Sequence, residues 1–122
     1  MKIYTGIDIV ENSRIEKAYS RFKEKFLKKV YTQREIEYCL KKNDFIPCLA
    51  ARFAAKEATI KAYYQLSCKT LRYKDIEVVG KKGAPAEILL HNDIYHTKNL
   101  NISISISHEK NYSVAVVIIY TA

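Results

Sequence analysis

Residues 2–10 alternate, with Ile3, Thr5, Ile7 and Ile9 on one face and Tyr4, Gly6, Asp8 and Val10 on the other, which predicts a strand. Asp8 is out of character there. A carboxylate inside an apolar strand costs several kcal/mol, in order of magnitude, unless it is paired or binds a metal. Ser13-x-x-Glu16 has the form of a capping box, and Ile15, Tyr19, Phe22, Phe26 and Val30 follow at steps of three and four, predicting one helix from there to Val30. Arg14, Arg21, Lys25 and Lys28 form a neighbouring stripe. Thr32-x-x-Glu35 repeats the capping pattern and predicts a short helix ending near Lys42. Pro47 suits the first turn of a third helix, where its missing N–H is not needed. That helix runs to about Gln65 and carries Ala50, Phe53, Ala54, Ala58 and Ala62.

After about Ser67 the period changes to two, predicting strands at 75–79, 86–91, 100–107 and 112–120. Leu100, Ile102, Ile104 and Ile106 oppose Asn101, Ser103, Ser105 and Ser107. The serine face is too small and polar for an ordinary core layer and implies close approach of something. Glu109-Lys110-Asn111 is a hairpin loop into the last strand. A strand, then helices, then antiparallel strands reads as α+β. With no repeat and no linker, the 122 residues form one domain, 1–122.

Composition narrows the chemistry. Gly6, Gly80 and Gly83 are the only glycines, so a glycine-cradled nucleotide site is excluded and any bound phosphate must be neutralised by side chains or a metal. Three cysteines, Cys39, Cys48 and Cys68, show no CxxC spacing, which reads as reduced, mostly buried thiols in a cytoplasmic protein. The longest apolar run, Val114–Ile119, is far too short to span a membrane, and acidic residues interrupt the N-terminus before any signal-like stretch. The net charge is +8, and residues 13–34 alone carry +6. Such a chain attracts polyanions, among them nucleic acid, anionic lipid, phosphorylated metabolites or an acidic protein.

Glu57 and Lys61 are four apart and share a helix face, with Lys56 one position off. As a surface pair they would be worth only ~0.3–0.5 kcal/mol. The small apolar residues around them and the unpartnered Asp8 suggest more: two carboxylates, water and substrate oxygens are a usual way to hold Mg²⁺. His108, at a strand end beside serine hydroxyls, suits anionic oxygen, though a solvated turn histidine fits the same pattern. His91 and His96 have no partner pattern and read as surface.

GIDIV (6–10), ARFAAKEATIKA (51–62), YKDIEV (73–78) and SISHEKNYSVAVVI (105–118) resemble, in order and across nearly the whole chain, the holo-acyl-carrier-protein synthases, a small group of 4′-phosphopantetheinyl transferases. The resemblance implies an antiparallel sheet wrapped around a long helix. It implies transfer of phosphopantetheine from coenzyme A to a serine of an acidic acyl carrier protein, and release of adenosine 3′,5′-bisphosphate. It also implies a homotrimer with active sites at subunit interfaces, and no nucleic-acid or membrane partner. Carried onto this chain, Asp8 and Glu57 would hold Mg²⁺, Lys61 would contact the diphosphate, and Glu57 or a metal-bound water would take the serine proton. Arg52 and Phe53 would line the nucleotide pocket, with Pro85 in a loop near the adenine. Ser107 and His108 would reach the phosphates from a neighbouring subunit. Arg14, Arg21 and Lys25 would dock the carrier, leaving Lys17, Lys23 and Lys29 as plain surface.

The chain departs from the family pattern at Glu109, where Thr is common, at Ala51 and Ile60, and in 63–68, which lack a Gly-Thr-Gly turn and predict a different loop shape. A carboxylate at 109 repels a diphosphate unless it turns away. That keeps a catalytically impaired relative open as an alternative, beside a basic nucleic-acid-binding module that rests on the charge and ten tyrosines.

Overall fold

The computed structural model describes residues 1–80, 83–91 and 100–121. The chain runs β1 (Lys2–Glu11), α1 (Asn12–Phe22), α2 (Glu24–Val30), α3 (Gln33–Leu40), α4 (Ile46–Ser67), a 3₁₀ turn (Tyr73–Asp75), β2 (Ile76–Val79), β3 (Glu87–Leu90), β4 (Leu100–His108) and β5 (Tyr112–Thr121). The pairing is antiparallel throughout. β5 lies between β1 and β4 in one sheet, and β2 pairs with β3 in a second. The mixture of helices and antiparallel sheet agrees with the α+β expectation.

The alanine-rich α4 is the centre of the molecule. Ala50, Ala54, Ala55, Ala58 and Ala62 are all buried. Small side chains let the sheet come close, and β1 comes closest at Gly6. A Cβ built there would lie 1.8 Å from the Ala58 carbonyl oxygen, so no side chain larger than hydrogen fits. Gly6 pairs with Val117 and Asp8 with Ala115, so the Tyr4, Gly6, Asp8, Val10 face of β1 turns inward. Ile3, Ile7 and Ile9 face outward and are about 60 % exposed, at 60 %, 60 % and 63 %.

Four local expectations change. The helix predicted to run unbroken to Val30 stops at Phe22, because Lys23 takes a left-handed φ of 49° and donates its N–H to the Tyr19 carbonyl. The break rotates the buried face. Leu27, roughly 100° off the predicted stripe in a straight helix, is buried, while Phe22, on that stripe, is half exposed. Lys25 and Lys28 therefore leave the Arg14–Arg21 helix and sit on α2.

The capping box at Ser13 does not form. The helix begins at Asn12, and Ser13 Oγ donates to Glu11 instead. Asn12 sets that start. Its N–H donates to the Asn111 carbonyl, its Nδ2 to the Glu109 and Lys110 carbonyls, and its Oδ1 accepts from Ser113, all in or beside the β4–β5 hairpin. The box at Thr32 and Glu35 is present as predicted.

Cys39 and Cys48 are joined, not reduced. Docking of α3 on the start of α4 brings their Cα atoms to 5.5 Å, and the disulfide follows; Cys68 is an exposed thiol. Finally, 63–67 form no loop. α4 continues to Ser67 and closes on Cys68 in the left-handed region, where its N–H donates to the Tyr64 carbonyl.

Candidate active site

Two elements that meet through Gly6 and Ala58 bring Asp8 of β1 and Glu57 and Lys61 of α4 to one neighbourhood. Lys61 Nζ donates to the Ile7 carbonyl at 2.9 Å and to Asp8 Oδ1 at 3.2 Å. Asp8 is thereby the partnered strand carboxylate that the sequence requires. Glu57 accepts on Oε1 from the Tyr73 hydroxyl at 2.5 Å. Burial, then the hydrogen bond and charge of Glu57, then the charge of Asp8, push the Tyr73 phenol up to about 12, so it remains a donor at neutral pH. Tyr73 thus feels both carboxylates. Phe53 packs on the Tyr73 ring at 5.6 Å between centroids.

Two depressions flank this group. One, of about 620 Å³, is lined by Glu57, Tyr73, Ile60 and Leu71 with Lys29 and Arg72 among its cations. The other, of about 570 Å³, is lined by Gly6, Ile7, Lys61 and Gln65. Of the two carboxylates, Asp8 is paired with an ammonium and Glu57 is bonded to a neutral phenol, while Lys29 and Arg72 line the depression beside Glu57. The donors are hard oxygens, the set that Mg²⁺ prefers while keeping water and substrate oxygens as further ligands. Among the described residues no third carboxylate, histidine or cysteine completes a cage, so any such ion would draw on substrate oxygens.

The structure separates Arg52 from Phe53. Arg52 is buried and stacks over Tyr38 at 4.4 Å, with one guanidinium nitrogen 3.3 Å from Cys48 Sγ. It lines a small cavity of about 80 Å³ together with Arg34, Glu77 and Gly80. Its Nε is buried without a hydrogen-bond partner among the described residues. Burial pulls its pKa down from the ordinary arginine value, against the pull of Tyr38 and Glu35.

Ser107 and His108 end β4, the strand beyond β5, so His108 lies two strand spacings, about 10 Å, from Val10. Ser107 is level with Val114 on the outward face, opposite to Asp8. Within one chain it does not reach the carboxylates. Glu109, the departure with the clearest electrostatic consequence, turns its carboxylate into the hairpin, where it accepts from the Asn111 and Tyr112 N–H groups at 2.8 and 3.2 Å. Pro85, Arg14, Arg21 and Lys25 are exposed. Arg21 lies over the Phe22 ring.

His91 is not an unpartnered surface histidine. Its Nε2 lies 2.6 Å from Glu77 Oε1. His96 is outside the described residues. Glu77 also accepts from Arg34 and Thr32. Burial alone would raise its carboxyl, but the hydrogen bonds from Arg34, His91 and Thr32 outweigh it and hold the group below its ordinary value.

Sequence reasoning missed the support under the site. Lys56 and Glu35 are fully buried and paired at 2.7 Å. Lys56 Nζ also donates to the carbonyls of Val30, Tyr73 and Ile76 at 2.9, 3.0 and 2.8 Å. It clamps the 3₁₀ turn that carries Tyr73 onto α4. A charged residue among buried alanines was the available signal. Its partner, Glu35, carries only a capping signal in the sequence.

Residues 4–117 match the 4′-phosphopantetheinyl transferase superfamily, and the chain belongs to it. The chain is similar to the holo-[acyl-carrier-protein] synthase of Aquifex aeolicus (strain VF5), at 48 % identity over 91 % of this chain and 93 % of that one. It is also 48 % identical to that of Hydrogenobaculum sp. (strain Y04AAS1), over 91 % of this chain and 90 % of that one. Among solved structures, the Helicobacter pylori holo-[acyl-carrier-protein] synthase in complex with coenzyme A superposes with a TM-score of 0.80 at 35 % identity, covering 95 % of this chain and 99 % of that one.

Proposed function

We propose that this chain transfers 4′-phosphopantetheine from coenzyme A to a serine hydroxyl of an apo acyl carrier protein, releasing adenosine 3′,5′-bisphosphate: the activity of a holo-[acyl-carrier-protein] synthase. The observation that carries the reading is the Lys61–Asp8 contact between elements far apart in sequence, with Glu57 one turn before Lys61 on α4, in a chain similar to proteins with that name. Asp8 and Glu57 would hold Mg²⁺, which when bound offsets charge on the diphosphate. Lys61 Nζ, half exposed and held among the described residues by one carboxylate oxygen and one carbonyl, would turn to the leaving phosphate and give it a proton. The Tyr73 phenol, protonated at neutral pH, orients Glu57. Arg52 lines the cavity of about 80 Å³ and its Nε has no hydrogen-bond partner among the described residues, which leaves a cationic donor for a further phosphate. Glu109 Oε1 is engaged by two N–H groups of its own turn, which partly offsets its repulsion of a nearby phosphate and supports the active-enzyme reading over an impaired relative.

A homotrimer fits the outward sheet face, where Ile3, Ile7, Ile9, Val116 and Ile118 are exposed beside the serine row of β4. It also accounts for Ser107 facing away from its own carboxylates, since a neighbour's site is then the one it serves. Exposed Arg14 and Arg21 with half-exposed Phe22 give the acidic carrier a cationic surface and an apolar anchor, with Lys25 on the next helix. No described helix is long and apolar enough to cross a membrane. The cytoplasmic expectation loses its cysteine argument with the Cys39–Cys48 bond.

The test is mass spectrometry of an apo carrier protein incubated with coenzyme A, Mg²⁺ and the enzyme. A phosphopantetheine adduct is expected, with Asp8→Ala and Glu57→Ala slower by ~10²-fold or more. An unmodified carrier overturns the reading, and a gel shift with random oligonucleotides in its place would favour the basic-module alternative.

A further inference from the structure

We propose that Tyr73 is a positioning residue that sets the metal affinity of the site by fixing the Glu57 carboxylate. This deepens the transferase reading and rests on it. Glu57 is half-buried on α4, and a glutamate side chain with three rotatable bonds needs partners to hold one pose. Two observations show that it is held. The Tyr73 hydroxyl donates to Oε1, which leaves the other oxygen for a cation. Tyr73 is itself fixed from two sides. Its ring packs on Phe53, one helical turn before Glu57, and its carbonyl accepts from the buried Lys56 ammonium, which Glu35 anchors. A chain of fixed groups thus runs from the buried Glu35–Lys56 pair through the 3₁₀ turn to one oxygen of Glu57. Asp8 has a different restraint, the movable Lys61 ammonium. Of the two carboxylates, one is prearranged and the other is released by its lysine.

Tyr73→Phe tests this, because it keeps the ring and its contact with Phe53 and removes only the donor. Mn²⁺ binding in the presence of coenzyme A is measured by electron paramagnetic resonance, without turnover. The expected result is about tenfold weaker Mn²⁺ binding, the scale of one hydrogen bond to a charged group. Thermal unfolding should be unchanged within a few degrees. In assays of carrier modification the metal concentration for half-maximal rate should rise by the same factor, with KM for coenzyme A unaltered. In a Glu57→Gln background the same substitution should leave Mn²⁺ affinity where Glu57→Gln alone puts it, because Tyr73 acts only through that carboxylate. Unchanged Mn²⁺ affinity in Tyr73→Phe overturns the proposal, as does a full tenfold loss that persists in the Glu57→Gln background. Wild-type protein that modifies no carrier fails the transferase reading instead; the Mn²⁺ measurements then still decide the role of Tyr73.

Discussion

Lys56 sits out of contact with water, and its ammonium is surrounded by one carboxylate and three backbone carbonyls. Burial pulls its pKa down from the ordinary lysine value, and Glu35 pulls it back. Removing the ammonium leaves Glu35 as an uncompensated buried charge, so Lys56→Ala is expected to cost about 3–5 kcal/mol in chemical denaturation. A bare buried ion pair can often be exchanged for apolar residues at little cost. This one cannot, because Glu35 also accepts from the Thr32 and Val78 N–H groups and Lys56 serves three carbonyls. The double variant Glu35→Met, Lys56→Met should remain destabilised by at least ~2 kcal/mol; wild-type stability in that variant would show that the backbone contacts contribute nothing. Glu77 makes a prediction of opposite origin. Its carboxyl is held below its ordinary 4.5, so the folded state favours the charged form. That contribution is complete above the unfolded value and is lost as pH falls through the lower, folded one. Acid titration of stability should show a decline beginning near pH 4.5, and Glu77→Gln should lack that part of it.

At the scale of the element, periodicity identified nearly every strand and helix. The hairpin 109–111 and the capping box at Thr32 lie where the residues place them. Periodicity failed where tertiary contacts override local preference. No glycine or proline marks the break at Lys23, which leaves Leu27, off the predicted stripe, buried. Asn12, bonded to a hairpin about a hundred residues away, outcompetes Ser13 for the helix start. Gly6 is the reverse case, a residue whose meaning lies in the meeting of two elements. Gly6→Ala must push β1 off α4, since the new Cβ would overlap Ala58 backbone. It is expected to destabilise by ~2 kcal/mol or more. It should also reduce carrier modification beyond the loss of folded protein, because Asp8 moves with the strand. Activity proportional to the folded fraction would argue that Asp8 needs no such precision.

At the scale of the whole molecule the prediction concerns the outer sheet face. Ile7 and Ile118 are exposed on adjacent strands, 60 % and 37 %, in a contiguous apolar surface of a kind that marks an interaction site. If the proposed trimer forms through this face, Ile7→Asp with Ile118→Asp should leave a monomer in analytical ultracentrifugation and abolish carrier modification, while far-ultraviolet circular dichroism stays native. A monomeric wild-type protein with full activity would remove the interface assignment for Ser107 and His108.

The sequence by itself determined the α+β class, the strand and helix positions and the residues with chemical potential, because alternation, three-to-four spacing and a carboxylate in an apolar strand are local signals. Which of those residues meet was a tertiary decision. Asp8 reaches Lys61 of α4 where Gly6 lets β1 settle on Ala58; Arg52 and Phe53, adjacent in sequence, part because consecutive side chains on a helix diverge by about 100°. The Cys39–Cys48 bond, the Lys56–Glu35 pair and the hold of Tyr73 on Glu57 leave no periodic trace, since each joins residues whose nearness depends on how the helices dock rather than on the spacing within any one of them.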